Sequence, residues 1–485
     1  MRAILLLVGL VLAAGCFTPA PATQPSPEPS TLGGWTLDCA QGGYEKAMNA
    51  SWAQPCEART SHTAGSKSET WIAINPTDVD NVVAGVKDLN PESSPGCVWN
   101  GVFVTHDGGR TWKDVVIGGT FADRQPTEPW FGYACNTDPD FQFTSDGALH
   151  YGVELYGILG PNGPVDTPLG GVVPGGYKIL LATSHDGGDT WPEVITFQPD
   201  LLVVTDYSRM TIDPTNDAIL EAIGSDGGVG CHVLRSTDGG KTATFVDVQT
   251  QYGPPCGSGG NTAIAVSPDG VAVIVGGGLL GPNNAYQPTV VRSTDDGLTW
   301  IDANPGFSLK PIPSFKESEY RVGSKVELAY DLTDGPHRGT LYALYDSADR
   351  DEADLWLRTS ADDGKTWSEG VLVNDDPEGS HQWMGQVAVA GDGSVHAFYM
   401  DKRYDPAHVL MDVTHAVSMD GGATWTNERV SALGFDGDKG IHQEGFPFIG
   451  DYIGAACVAD DCWAAFPDAS VTDVPVVAAA HVHRS

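Results

Sequence analysis

The sequence is poor in positive charge. Its 485 residues hold 26 Lys and Arg against 63 Asp and Glu, a formal net charge of −37 at pH 7. A field of that sign repels phosphate backbones and anionic lipid headgroups, which argues against nucleic acid as a partner. No two cysteines stand as Cys-X-X-Cys, and His408, His415, His481 and His483 lack zinc-protease spacing, so no metal centre is read. Gly276–Gly278 follows an apolar stretch but opens no helix, which speaks against a nucleotide loop. No cofactor is expected. The acidic stretch Asp346, Asp349, Asp351, Glu352 and Asp354 allows at most a structural Ca²⁺ ion, without a fixed loop pattern. Long helices are also excluded, because 60 Gly and 33 Pro break them and supply turns instead.

What is present begins at the N-terminus. Arg2 precedes an apolar run, Ile4 to Ala14, that is too short to span a bilayer stably. The run ends in Leu12-Ala13-Ala14-Gly15-Cys16, which resembles the lipobox of prokaryotic lipoproteins, with Ala13 where Leu is usual. The resemblance implies a signal peptide over 1–15 and lipidation of Cys16. Thr18 to Ser30 is rich in Pro, Ala, Ser and Thr and reads as a semi-rigid tether within 16–34. Residues 35–485 then form one domain. The expected protein is an exported monomer held at a prokaryotic surface or periplasmic membrane face, touching the membrane through its lipid alone.

The pattern Ser/Thr-X-Asp-X-Gly-X-Thr-Trp occurs at Thr105–Trp112, Ser184–Trp191, Ser293–Trp300, Ser360–Trp367 and Ser418–Trp425. A sixth copy keeps Ser236, Asp238, Gly240 and Thr242 but has Ala243 for Trp. The Asp residues lie 79, 52, 57, 67 and 58 positions apart, room for one four-stranded sheet per repeat. The chemistry is that of a hairpin clasp. Asp and Ser/Thr satisfy amides inside the turn, Gly takes a positive φ, and Trp buries a large face between sheets. The repeat resembles the Asp box of bacterial neuraminidases and other propeller families, over roughly residues 70–485.

A second element counts blades. Apolar strand, tight turn and apolar strand recur seven times, about Asn75–Asn81, Ser145–Gly147, Asp213–Asp217, Ser267–Gly270, Asp331–Gly339, Gly391–Gly393 and Ala459–Asp461. The fold class is therefore all-β, a propeller of four-stranded blades, with seven blades favoured over the six of catalytic sialidase domains. The last hairpin lacks a fourth strand, which the segment near Trp35–Leu37 can supply. In such blades the repeats share one face, and the longer loops of the opposite face carry function. The loop map pairs the cysteines as Cys39–Cys56, Cys97–Cys135, Cys231–Cys256 and Cys457–Cys462.

Of the 14 Arg, Arg124, Arg209, Arg321 and Arg403 fall on loop positions of four blades. Guanidinium pairs a carboxylate bidentately, so several such forks at one channel would make a carboxylate site. The sialidase resemblance implies three Arg on the sugar carboxylate, a Tyr nucleophile activated by Glu, and an Asp acid/base. The candidates are Arg209, Arg321 and Arg403; Tyr320 or Tyr452 as nucleophile; Glu444 as its partner; and Asp206 as acid/base. Tyr404, Tyr452 and Trp130 add substrate contacts. The family's Arg-Ile-Pro motif is missing, and the matching strand reads Glu69-Thr70-Trp71-Ile72. The expected function is exo-glycosidase action on terminal acidic sugars of glycoconjugates. The alternatives are a non-catalytic propeller binding glycans or proteins on aromatic platforms such as Trp130 and Trp383, and a lyase acting on uronic-acid polymers.

Overall fold

The computed structural model describes residues 66–484 except 90–97, 119–126, 132, 161–162, 165–177, 198–204, 226–229, 253–254, 257–261, 281–284, 432, 440–441, 444–445 and 471–474. Before residue 66 it describes Thr31–Leu32, Trp35–Leu37 and Ala58–Arg59. The leader, Cys16 and the stretch Thr18 to Ser30 lie outside the described residues, whereas Thr31 and Leu32, within the 16–34 read as tether, pair antiparallel with Thr36 and Trp35. Among the described residues every regular element is a strand.

Seven four-stranded antiparallel blades follow one another along the chain. Their innermost strands are Ser66–Asn75, Tyr133–Phe143, Thr205–Ile212, Thr262–Val266, Val326–Tyr330, Gln382–Val389 and Gly454–Val458. Each innermost strand touches the next, and the seventh touches the first, so the sheets close into a ring. The apolar inner hairpins are buried, whereas outer strands such as Lys113–Val115 and Thr244–Asp247 are half-buried or exposed. Blade 7 takes its outer strand from the N-terminal segment. Trp35, Thr36 and Leu37 pair antiparallel with Arg484, His483 and Val482, which covers an edge that would otherwise be open.

All six repeats sit in the turns between third and fourth strands, and their hydrogen bonds explain the residue choice. In the first, Thr105 Oγ1 accepts the Gly109 N–H at 3.0 Å and donates to Asp107 Oδ1 at 2.8 Å. Asp107 also accepts the Thr111 amide and hydroxyl, at 2.8 and 2.7 Å. Trp112 Nε1 donates to the Gly109 carbonyl at 3.1 Å, and its ring meets Trp463 of the neighbouring blade edge-on. A Cβ on Gly109 would lie 2.4 Å from Trp463, at a φ of 82°. Glycine is therefore required twice over, by conformation and by contact. Where the third blade has Ala243 for Trp, Phe245 packs on Phe197 of the preceding blade at 5.9 Å.

Cys231–Cys256 and Cys457–Cys462 are disulfides, and Cys135 is disulfide-bonded. Its expected partner Cys97, and Cys39 and Cys56, lie outside the described residues. Disulfides of this kind are compatible with export.

A cavity of about 310 Å³ runs along the axis, lined from all seven innermost strands. It reaches from Arg209 and Glu327 toward the hairpin turns at Pro76 and Leu332.

Candidate functional site

Above Arg209 the innermost strands do not run straight. The ladder slips between Ser68 and Trp71, Thr137 and Asp140, Thr205 and Ser208, and Trp383 and Gln386. At three of these bulges a non-glycine residue takes a left-handed φ: Glu69 at 52°, Asp138 at 53° and Met384 at 52°. Such residues cost about 1–3 kcal/mol each and persist only where the surroundings over-determine them. Bulges re-aim side chains and cluster at functional sites. Gly450, with φ 97°, lets blade 7 approach so closely that a Cβ there would lie 2.5 Å from the Glu69 nitrogen. A Cβ on Gly454 would lie 2.6 Å from Trp71 Cα. These two glycines open and close the run Gly450-Asp451-Tyr452-Ile453-Gly454, which brings Asp451 and Tyr452 to the mouth.

Carboxyl groups and cations gather here in similar number: Glu69, Asp138 and Asp451 with Lys87, Arg321 and Lys325. Glu69 is buried, with Lys87 Nζ at 2.8 Å. Burial drives its pKa up to about 8; Lys87 opposes this, while Asp138 and Asp451 add to it. Burial also works to raise Asp451, but Lys325, Arg321 and Lys87 outweigh it and hold that carboxylate below its ordinary range. Arg321 grips Asp451 with Nε on Oδ1 at 3.0 Å and a second bond from Nη2. The Tyr452 hydroxyl donates to Asp138 Oδ1 at 3.2 Å. Two neighbouring carboxyls are thus pushed in opposite directions.

Behind the mouth, Asp140 and Glu221 are fully buried between blades 2 and 3. Burial lifts Asp140 to about 7, against Arg209 and a 2.5 Å bond from the Met210 N–H. Glu221 is lifted to about 8 by burial and then by Asp140. Gly152 makes room for it, since a Cβ there would sit 2.4 Å from Glu221 Oε1.

The three candidate guanidiniums do not form an open clamp. Arg209 is 3% exposed, stacked between Trp71 and Tyr452 at 4.4 and 4.3 Å, with Nη2 3.4 Å from Glu327 Oε1. It plugs the channel from blade 3 to blade 5. Arg321 stands at the rim, half exposed, over Phe448 and on Asp451. Arg403 lies in blade 6, bonded to Asp401, Asp375 and the Tyr399 hydroxyl. In an acidic chain each guanidinium finds one of the protein's own carboxylates first.

Other candidates fall in the core. Tyr320 is 2% exposed, packed with Trp383, which is itself fully buried, and Lys402 sits over its ring. Trp130 is buried against Gly118 in the core of blades 1 and 2, so neither Trp130 nor Trp383 is an exposed platform. Tyr404 is half-buried beneath Arg429, its hydroxyl 3.1 Å from Thr414 Oγ1. Asp206 lies in the strand Thr205–Ile212, but its side chain and the whole of Glu444 are outside the described residues. Of the acidic stretch read for Ca²⁺, Asp354 binds Arg350, Asp351 accepts the Gly379 N–H and Glu352 binds Lys316. Tyr452 stands beside Asp138, and Glu69, Lys87, Asp138, Asp140 and Glu221, which gather around it and behind it, are not among the candidates read from sequence. Their signal was present as charged residues inside inner hairpins, such as Glu221 within Ile219-Leu220-Glu221-Ala222-Ile223.

No protein-family model matches the chain. A sialidase from Micromonospora viridifaciens is 26% identical over 206 residues, 37% of this chain and 30% of that protein. The chain thus spans under a third of the length of the curated relative it matches. Among solved structures, a mutant of the NanB sialidase from Streptococcus pneumoniae aligns over 74% of this chain and 69% of its own, with TM-score 0.47 and 10% identity. Trypanosoma rangeli sialidase aligns over 87% and 74%, with TM-score 0.45 and 12% identity. A protein of unknown function from Dyadobacter fermentans aligns over 87% and 95%, with TM-score 0.44 and 14% identity. The fold defines a seven-bladed β-propeller, part of whose sequence is similar to a sialidase.

Proposed function

We propose that this propeller is a glycoside hydrolase whose proton donor is Glu69 and whose ionised carboxylate is Asp451. One observation carries the reading: at a strained bulge the buried Glu69 carboxyl, paired with Lys87, has its pKa pushed up by burial, while Asp451 beside it is held below its ordinary range by Lys325, Arg321 and Lys87. Glycosidic hydrolysis uses that division of labour, with an acid protonating the leaving oxygen and a carboxylate supporting the oxocarbenium-like transition state. The Tyr452–Asp138 pair stands beside them and orients the sugar or an attacking water. The partial sialidase relative supports carbohydrate as the ligand class. The substrate reading moves from acidic toward neutral glycosides, because Arg209, Arg321 and Arg403 already face Glu327, Asp451 and Asp375.

The test is hydrolysis of a panel of fluorogenic glycosides, neutral and acidic, by wild type and by Glu69→Gln and Asp451→Asn. Turnover of a neutral glycoside that falls about 10²–10⁴-fold in Glu69→Gln supports the reading. Turnover of the sialoside alone would return the site to acidic sugars. Saturable glycan binding without turnover would leave a lectin-like propeller, which the pairing of Arg209, Arg321 and Arg403 with Glu327, Asp451 and Asp375 does not oppose.

The lipobox-like Cys16 and the tether support a role at a membrane surface. Mass spectrometry of the mature N-terminus, reading diacylglycerol on Cys16 or its absence, decides this part.

A further inference from the structure

At the seam between blades 6 and 7, on the side of the repeat turns, a disulfide lies against a buried histidine. Cys457 and Cys462 are cross-strand partners flanking the turn Ala459–Asp461. A ring nitrogen of His396, from the second strand of blade 6, and both sulfurs lie within 4.8 Å of one another. Among the described residues no other set of three or more His, Cys, Asp or Glu groups is gathered this closely. The seam is tight, since the Gly391 N–H donates to the Ala459 carbonyl at 2.7 Å and Arg484 bonds Asp392.

We infer that Cys457, Cys462 and His396 form a redox-gated site for a thiophilic divalent ion such as Zn²⁺, closed while the disulfide stands and open once it is reduced. This inference is independent of the glycosidase reading. A dithiol reductant transfers two electrons and two protons to the S–S bond, leaving two thiols and its own disulfide. The ion then displaces the two thiol protons and binds two thiolates and one imidazole nitrogen. A fourth position is left for water, as in open zinc sites.

The surroundings suit a ligand. His396 Nδ1 meets His415 Nε2 at 2.9 Å, and His415 Nδ1 meets Glu428 Oε1 at 3.2 Å. That chain ends on a carboxylate and fixes the His396 ring, as outer partners of zinc-bound imidazoles do. Nε2, which meets Ser394 Oγ at 2.9 Å, is then the nitrogen offered to the ion. Access exists as well: Cys457 is partly exposed and lines the axial cavity, while Cys462 is buried.

The experiment titrates Co²⁺, then competing Zn²⁺, into full-length protein with and without prior dithiol reduction, reading thiolate-to-cobalt charge-transfer absorption. One tight equivalent is expected only after reduction, with Zn²⁺ displacing it. His396→Ala should weaken binding at least 10-fold, Cys457→Ser with Cys462→Ser should abolish it, and Cys231→Ser with Cys256→Ser should retain it. Circular dichroism follows the fold throughout. Absence of a charge-transfer band in the reduced, folded protein overturns the proposal. So does full affinity in the His396 variant, or loss of the fold on reduction alone.

Discussion

The Tyr452 hydroxyl donates to Asp138 Oδ1 at 3.2 Å, joining two residues 314 positions apart across the first blade. Tyr452 enters blade 7 and Asp138 stands at the bulge of blade 2, so the bond spans the mouth above Trp71. Tyr452→Phe keeps the ring that stacks on Arg209 and removes only the hydroxyl. The buried Asp138 oxygen loses its donor, at a cost of about 1–3 kcal/mol in urea unfolding. On the glycosidase reading kcat falls with it. Unchanged stability and unchanged kcat together would show that the bond does not hold the mouth.

Arg209 is the cation facing Glu327 inside the channel, with side-chain exposures of 4% and 5%. Arg209→Met removes that cation and is expected to destabilise the fold by about 3–5 kcal/mol, since breaking a buried pair leaves a charge behind. Arg209→Met with Glu327→Gln should recover much of the loss, because both charges are then gone. Chemical denaturation of the two single variants and the double variant measures the coupling. Additive losses would mean that the two groups do not act as a pair.

The buried carboxyls set a pH dependence of opposite sign to ordinary acid denaturation. Asp140 and Glu221 are raised to about 7 and 8 by burial, so the folded state binds their protons more tightly than the unfolded chain. Their contribution is complete below the usual carboxyl range near pH 4 and is lost as pH rises through 7 and 8. In the repeats burial acts to raise Asp362 and Asp420, but bonds from Thr366 and Thr424 hold both below the ordinary value. Their share is lost as pH falls below about 4. Melting temperature is therefore expected to be highest in mildly acid solution and to decline toward pH 9. Glu221→Gln should flatten the alkaline decline. A melting temperature that rises between pH 6 and 9 would refute the assignment.

Glu69 places a further limb on activity. As a general acid it works while protonated, so kcat/KM should fall as pH rises through about 8. Lys87 opposes the upward shift; with Lys87→Met the limb should move to higher pH, since burial and the neighbouring carboxylates then act unopposed. A limb that stays in place assigns the titration to another group.

The fold was legible because its defining chemistry is local. Within eight residues the repeat contains every donor and acceptor of its clasp, from Thr105 to Trp112, and nothing distant is needed to close it. The N-terminal strand of blade 7 was readable for a related reason, since the last hairpin lacked a partner. The mouth is the opposite case. Asp138 and Tyr452 meet only because the ring closes, and Glu69 reaches the mouth through a bulge that strand periodicity does not announce. Arginine scarcity pointed at Arg209, Arg321 and Arg403, but sequence does not tell whether a guanidinium faces a ligand or a carboxylate of its own chain. Tyr320 and Trp130 were drawn toward the site by type, and the packing of blades 5–6 and 1–2 claims them for the core.

Two glycines separate the framework from the site. A Cβ on Gly109 would lie 2.4 Å from Trp463, and a Cβ on Gly450 would lie 2.5 Å from the Glu69 nitrogen. Both residues hold a positive φ, so either alanine variant is strained and each should cost about 1–3 kcal/mol. They differ in what must move. Gly109→Ala displaces a ring at the blade 7 seam, away from the mouth, and should lower stability while leaving kcat near wild type. Gly450→Ala pushes on the backbone that aims Glu69. A displacement near 1 Å at a reacting group costs about 10²-fold, so its kcat should fall by that order at comparable stability. Urea midpoints and kcat measured on both variants distinguish the two effects. Equal loss of activity in both would mean that strain anywhere in the ring reaches the mouth, and Glu69 would then owe its position to the whole propeller rather than to the approach of blade 7.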